Sequence, residues 1–169
     1  LMLMRHEVLA TLRTRFEDAS GELVLARDGQ EVLRANTATA AGQAAITAFF
    51  ESFMPEALRG QPRLLQAPAG YRFTDSRSGF VSLINLASVA DLERRLGAAV
   101  DPLRFRGNIM VEGLAPWAEL DLAGRDLTTS SGLRLNVIKR IERCAATNVD
   151  PQTGARDLQL PKTLMSAFG

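Results

Sequence analysis

The pattern of apolar and polar positions predicts short elements. Leu23-Val24-Leu25-Ala26-Arg27 and Gln30-Glu31-Val32-Leu33-Arg34 flank the pair Asp28-Gly29. Asp-Gly suits the positive φ angles of a two-residue I′ turn, so this stretch predicts a β-hairpin. Val8 to Phe16 alternates more loosely and predicts a further strand, with a turn cluster at Asp18 to Gly21. Ile46, Phe49, Phe50 and Phe53 recur at i, i+3, i+4 and i+7. That spacing predicts a helix over about 40–53, capped by Thr39 and closed by Pro55, its phenylalanines packed in the core.

Residues 54–79 hold Gly60, Gly70 and Gly79 with Pro55, Pro62 and Pro68, and read as a connection between two subdomains. Phe80 to Leu86 predicts a strand. Ser88 predicts a helix cap with Asp91 as its capping-box partner, and Gly97 a stop after Leu96. Leu103 to Val111 predicts another strand, and Leu133 to Ile138 alternates cleanly as a strand with one wet face. Pro161 suits the first turn of a last helix over 161–168. The expected fold class is α+β and β-rich.

Composition narrows the chemistry. Twenty Lys+Arg against nineteen Asp+Glu leave a net charge of +1, so the chain has no global field to draw in nucleic acid or an anionic membrane. No apolar run approaches the roughly 20 residues of a membrane helix. Nucleic-acid and membrane partners are therefore not expected. Cys144 is the only cysteine and His6 the only histidine, which excludes an internal disulfide and a four-ligand Cys/His zinc site. A reducing, cytoplasmic compartment is expected. Glycine spacing supports neither a P-loop nor a dinucleotide fingerprint. The chain opens on Leu1 and stops at Gly169 straight after an apolar helical stretch, so a piece of a longer protein is expected.

Three clusters carry candidate chemistry. Cys144 has Lys139, Arg140 and Arg143 within five residues, and nearby cations favour thiolate over thiol. Such a cysteine serves as a nucleophile or a soft metal ligand; the plainer alternative is a buried small hydrophobe. Asp150-Pro151-Gln152-Thr153-Gly154 behind it predicts a tight turn whose side-chain oxygens take up backbone N–H groups. Arg104 and Arg106, at i and i+2 of the predicted strand, share a face with Asn108 and suggest an anion cradle. The alternative is a surface strand with paired charges. Asp75, Ser76 and Ser78 offer an anion hydroxyl donors, or are simply a loop.

Together, Phe105-Arg106-Gly107-Asn108-Ile109, Trp117-Ala118-Glu119, the run from Arg143 to Gly154 and Lys162-Thr163-Leu164 resemble the MOSC family. These are the domains at the C-terminus of molybdenum cofactor sulfurases and in enzymes that reduce N-hydroxylated compounds such as amidoximes. The family pattern is F-R-x-N, W/Y-A-E and R-C-x-x-T-x-V-D-P-x-T-G. The resemblance covers roughly residues 71–169. Residues 1–62 are similar to part of the N-terminal MOSC-type β-barrel domain that usually precedes it. The start of that domain and the closing part of the MOSC domain are absent from this sequence.

The resemblance implies a MOSC-like β-barrel with a few flanking helices, and molybdenum cofactor (molybdopterin) as the bound group. It implies Cys144 as sulfur ligand to molybdenum and as the catalytic residue. Arg143 would lie near the pterin or its phosphate, and Arg106 and Asn108 would contact both. Asp75, Ser76 and Ser78 correspond loosely to a polar cofactor-binding loop, and Thr147 and Asp150 would shape the loop that presents the thiolate. It further implies a small-molecule substrate and a separate electron-donor protein of iron–sulfur or flavin/haem type. Pyridoxal phosphate is associated with the wider family, but no lysine here sits in a Schiff-base motif. A contrasting role is a sulfur carrier, with Cys144 holding a persulfide. Gly107 stands where many relatives carry proline, which predicts a looser strand there.

Overall fold

A computed structural model describes residues 1–71 and 79–168. The chain divides into two compact units, residues 1–77 with 149–156, and residues 78–148 with 157–169.

The first unit is built on an antiparallel sheet in the order β1-β2-β3: β1 is Arg13–Glu17, β2 is Glu22–Arg27 and β3 is Gln30–Asn36. Asp28 and Gly29 both take positive φ, 52° and 78°, so the hairpin forms as the Asp-Gly pair predicts. A register shift between Leu25 and Ala26 marks a bulge. The loosely alternating Val8–Phe16 stretch divides, Glu7–Thr11 making a 3-10 turn before β1 begins.

Helix α1, Ala40–Phe53, is capped as expected: Gly42 N–H donates to Thr39 Oγ1 at 3.1 Å. Ile46 and Met54 are buried with Leu12, Val24, Leu25 and Ala35, while Phe49, Phe50 and Phe53 are only half-buried. Gly42 lets the helix start beside the end of β3. A Cβ there would lie 1.9 Å from the Asn36 carbonyl oxygen.

Residues 149–156 are fastened into this unit. Arg13 donates to the Pro151 carbonyl at 2.9 Å and to Gln152 Oε1 at 2.7 Å, and Arg156 pairs with Glu7 at 3.0 Å. The turn forms as read: Asp150 Oδ1 accepts from the N–H groups of Gln152 and Thr153 at 2.8 and 2.7 Å, and Gly154 takes φ 75°.

The second unit opens with a parallel crossover: β4 (Leu83–Asn85), α2 (Leu86–Leu96), then β5 (Ile109–Val111) paired with β4. Strands β6 (Asp126–Thr128) and β7 (Arg134–Asn136) form a separate antiparallel pair, and α3 is Leu160–Phe168. The core joins α2 to α3 through Val89, Leu92, Val100, Phe105 and Leu160. Each such side chain contributes about 1.5–3 kcal/mol when fully buried.

Several expectations change here. Only Leu83–Asn85 of the Phe80–Leu86 stretch pairs, since Phe80 and Val81 remain exposed. Ser88 is not the cap. Asn85 takes that place, its side chain accepting from Ala87 N–H, because Ser88 is already engaged elsewhere. Gly97 does end α2, at φ 64°. Leu103–Val111 is not one strand: Pro102–Phe105 is a 3-10 turn led by an Asp101 cap, and pairing begins only at Ile109. The alternating Leu133–Ile138 run pairs only over Arg134–Asn136.

Among the described residues helix outweighs strand, 34% against 20%, so the fold is α+β with less strand than expected. Among the described residues the strands make three separate small sheets. No helix of the described residues is long and apolar enough to cross a membrane.

Candidate functional site

The candidate residues of the second unit gather where two segments meet. One runs from Phe105 to Ile109, the other through Arg143 and Cys144 to the 3-10 turn Ala145–Asn148. Arg143 Nη2 donates a short hydrogen bond to the Phe105 carbonyl, and its guanidinium stands 5.3 Å from the Phe105 ring centroid. The aromatic face and the carbonyl hold the cation in place. Its Nε is buried with no hydrogen-bond partner. Burial pulls the Arg143 pKa below the ordinary arginine value, and the charge of Cys144 acts in the opposite sense.

Cys144 is exposed, so its sulfur is not a core atom. The turn behind it is pinned by Thr147, which is buried. Thr147 Oγ1 and N–H both donate to the Cys144 carbonyl, at 2.9 and 3.1 Å. Arg140, expected as part of the basic flank, turns to the Leu120 carbonyl at 2.9 Å and to Asp121 at 3.6 Å.

The pair Arg104 and Arg106 does not share a strand face. The 3-10 turn separates them. Arg104 is buried and held bidentately by Asp157 at 2.8 and 2.7 Å, with the Asn148 carbonyl at 3.2 Å. It is a structural cation. Arg106 ends the turn in the left-handed region, φ 51°, and its exposed guanidinium makes no hydrogen bond or ion pair among the described residues. Asn108 Oδ1 accepts from Ser82 N–H and Oγ at 2.9 and 3.0 Å, which leaves its amide donors free.

A Cβ at Gly107 would lie 2.2 Å from Ile84 Cγ1, so a side chain at this position requires Ile84 to move. Asp75, Ser76 and Ser78 lie outside the described residues. Asp150 belongs to the first unit, where its carboxylate is spent on the turn.

The Trp-Ala-Glu segment proves to be a clamp on α2. Glu119 accepts from Asn85 Nδ2 at 2.9 Å and from Ser88 Oγ at 2.8 Å. Ser88 Oγ accepts from Trp117 N–H at 2.8 Å, and Trp117 Nε1 donates to Asp91 at 2.7 Å. Hydrogen bonds from Arg95 and from Trp117 Nε1 hold the Asp91 carboxyl below the usual aspartate range. Asp157, Asn85 and Asn148 are further residues that sequence reasoning missed. None carries a motif-independent signal, since each acts through a partner distant in sequence.

A molybdenum cofactor can be tested against these donors. No group of three or more His, Cys, Asp or Glu able to hold a metal occurs among the described residues. A protein-only metal site is therefore unsupported there. One exposed thiol next in sequence to an arginine that is held on Phe105 suits a different arrangement, in which a metal brings most of its ligands and an anionic carrier with it. On chemistry the residues fit the group.

The whole of this region falls within a recognised domain: residues 70–168 match the MOSC domain model, and the chain belongs to the MOSC domain family. Among relatives, it is 40% identical over 93 residues to molybdenum cofactor sulfurase of Caenorhabditis elegans, covering 51% of this chain and 13% of that protein. The Caenorhabditis briggsae protein of the same name is 39% identical over 93 residues, with the same coverage. Human mitochondrial amidoxime-reducing component 1 is 30% identical over 86 residues, covering 51% of this chain and 25% of that protein. The chain thus spans a quarter or less of the length of these relatives.

Proposed function

We propose that this chain is a molybdenum-cofactor-binding MOSC protein acting as an oxidoreductase module on N-hydroxylated small molecules. The observation that carries the reading is the exposed Cys144 thiol beside the half-buried Arg143, whose Nε has no partner. Cys144 supplies the protein's sulfur ligand to molybdenum. Arg143, Arg106 and Asn108 bind the pterin and its phosphate, the arginines as forked donors and Asn108 through its amide. Thr147 fixes the Cys144 carbonyl and so the direction of the side chain. The bound cofactor supplies two-electron chemistry, and the protein supplies binding, orientation and charge.

The proposed net reaction takes an amidoxime, two electrons and two protons to the amidine and water. The electrons come from a separate donor protein of iron–sulfur or flavin/haem type. Residues 1–62 are read as part of the N-terminal MOSC-type β-barrel domain, and residues 71–169 as a MOSC domain with barrel-like architecture. The compartment proposed is the cytoplasm. Asp75, Ser76 and Ser78 are proposed to complete the cofactor-binding set, with Asp150 shaping the loop behind the thiolate.

The test is reduction of benzamidoxime to benzamidine by cofactor-loaded chain, with a reduced viologen dye as electron source. Turnover that disappears in Cys144→Ser is the expected result. Equal turnover in that variant would overturn the reading.

A second reading has its own support. The molybdenum cofactor sulfurases share more identity with this chain than the amidoxime-reducing component does. In that reading Cys144 carries a persulfide and no redox turnover occurs. Sulfane sulfur on Cys144 in protein that contains no molybdenum would favour it.

A further inference from the structure

A concavity lies wholly within the first unit. It encloses about 520 Å³ and is lined by the chain start, by α1 and by residues 57–64. Its floor is apolar: Ile46 is buried, and Phe50 and Leu58 are half-buried. Its rim is cationic. Arg5, Arg59 and Arg63 all line it, all are exposed, and among the described residues none makes a side-chain hydrogen bond or ion pair. No aspartate or glutamate lines it.

The other described arginines of this unit behave differently. Arg13, Arg15, Arg27, Arg34 and Arg156 are each tied to a carboxylate, a carbonyl or a side-chain amide. Three guanidinium groups left without partners therefore collect around a single apolar hollow. The volume falls in the ordinary range for small-ligand sites, roughly 300–1,000 Å³. An apolar floor rewards burial of hydrocarbon, and guanidinium forks bind an oxyanion. One ligand chemistry satisfies both.

We infer that this cavity binds an amphiphilic anion, a medium-chain hydrocarbon ending in a carboxylate or a phosphate. The tail lies over Ile46, Phe50 and Leu58, and the head meets Arg5, Arg59 and Arg63 at the mouth. The site is independent of Cys144 and of the molybdenum reading.

Isothermal titration of the 169-residue chain tests it, with decanoate and decyl phosphate below their micelle-forming concentrations as the two head-group arms. Decanol serves as tail without charge and inorganic phosphate as charge without tail. Saturable binding of at least one anionic amphiphile is expected, with decanol and phosphate each at least about tenfold weaker, as expected for loss of one charge-assisted contact or of the buried tail. The arm that binds more tightly identifies the head group. Arg59→Gln with Arg63→Gln should weaken binding about tenfold or more while leaving denaturation unchanged. Thr47→Trp, at the half-buried wall of α1, should block the tail. Equal binding of decanol, no binding by either anionic amphiphile, or full affinity in the double arginine variant would overturn the inference.

Discussion

Two motif regions of the second unit use polar atoms in opposite ways. Around Trp117 and Glu119 every polar group named above is spent on another: Glu119 on Asn85 and Ser88, Ser88 on Trp117, Trp117 on Asp91. Around Arg106, Asn108, Arg143 and Cys144, donors are left over. Among the described residues Arg106 has no partner, the amide of Asn108 is free and the Nε of Arg143 is orphaned, and the thiol of Cys144 is exposed. A buried polar group without a partner costs about 1–3 kcal/mol, so native chains rarely leave one unless something else satisfies it. The first region is scaffold; in the second only the Arg143 Nε is both buried and without a partner among the described residues, and the proposed function rests on it.

Substitutions can break that contrast. The largest loss is expected for Asp157→Ala, which takes the carboxylate away from the buried Arg104 guanidinium. Because the Asp157 side chain is itself 45% exposed, the cost should sit at the low end for a broken buried pair, about 3 kcal/mol in urea denaturation. Glu119→Ala should cost about 2 kcal/mol, since the buried hydroxyl of Ser88 loses its acceptor and the Asn85 amide keeps only the Ala115 carbonyl. Equal stability of either variant and the parent would remove the scaffold half of the contrast.

Arg106→Gly sharpens it. Glycine takes φ 51° without the Cβ penalty, so this variant should be as stable as the parent or more stable by up to about 1 kcal/mol. It should nonetheless retain less pterin through gel filtration. A stability loss with unchanged pterin content would make Arg106 structural. The smallest effect concerns acid. Asp91 titrates below the ordinary aspartate value because Arg95 and Trp117 bond its charged form. Its contribution to stability is complete above the unfolded pKa of about 3.9 and is lost as pH falls through the lower folded value. Asp91→Asn should therefore flatten the acid limb of the stability curve, and an unchanged limb would contradict this.

Local chemistry made part of the molecule legible from sequence. Asp28-Gly29, Thr39, Gly97 and the Asp150 turn each fix a backbone conformation within a few residues, and each appears where the sequence places it. The strand over Leu103–Val111 was not legible. Its alternation is real, but Pro102 and the Asp101 cap favour a tight turn, and the buried tie of Arg104 to Asp157 rewards it. The same reason hides the helix start: the Ser88 hydroxyl accepts from Trp117 N–H and donates to Glu119, 29 and 31 residues further on, and Asn85 caps the helix. Cys144 and Arg143 stood out through spacing and motif. The partners that hold Arg143, above all the Phe105 carbonyl and ring, depend on a chain crossing that no local pattern encodes.

The most direct measurement is molybdenum per chain, by elemental analysis of protein grown with molybdate, in the parent and in Cys144→Ser. The account predicts about one atom per chain in the parent and a loss of about tenfold or more in the variant, with the urea midpoint unchanged. Equal molybdenum in both proteins, or none in the parent, would contradict it.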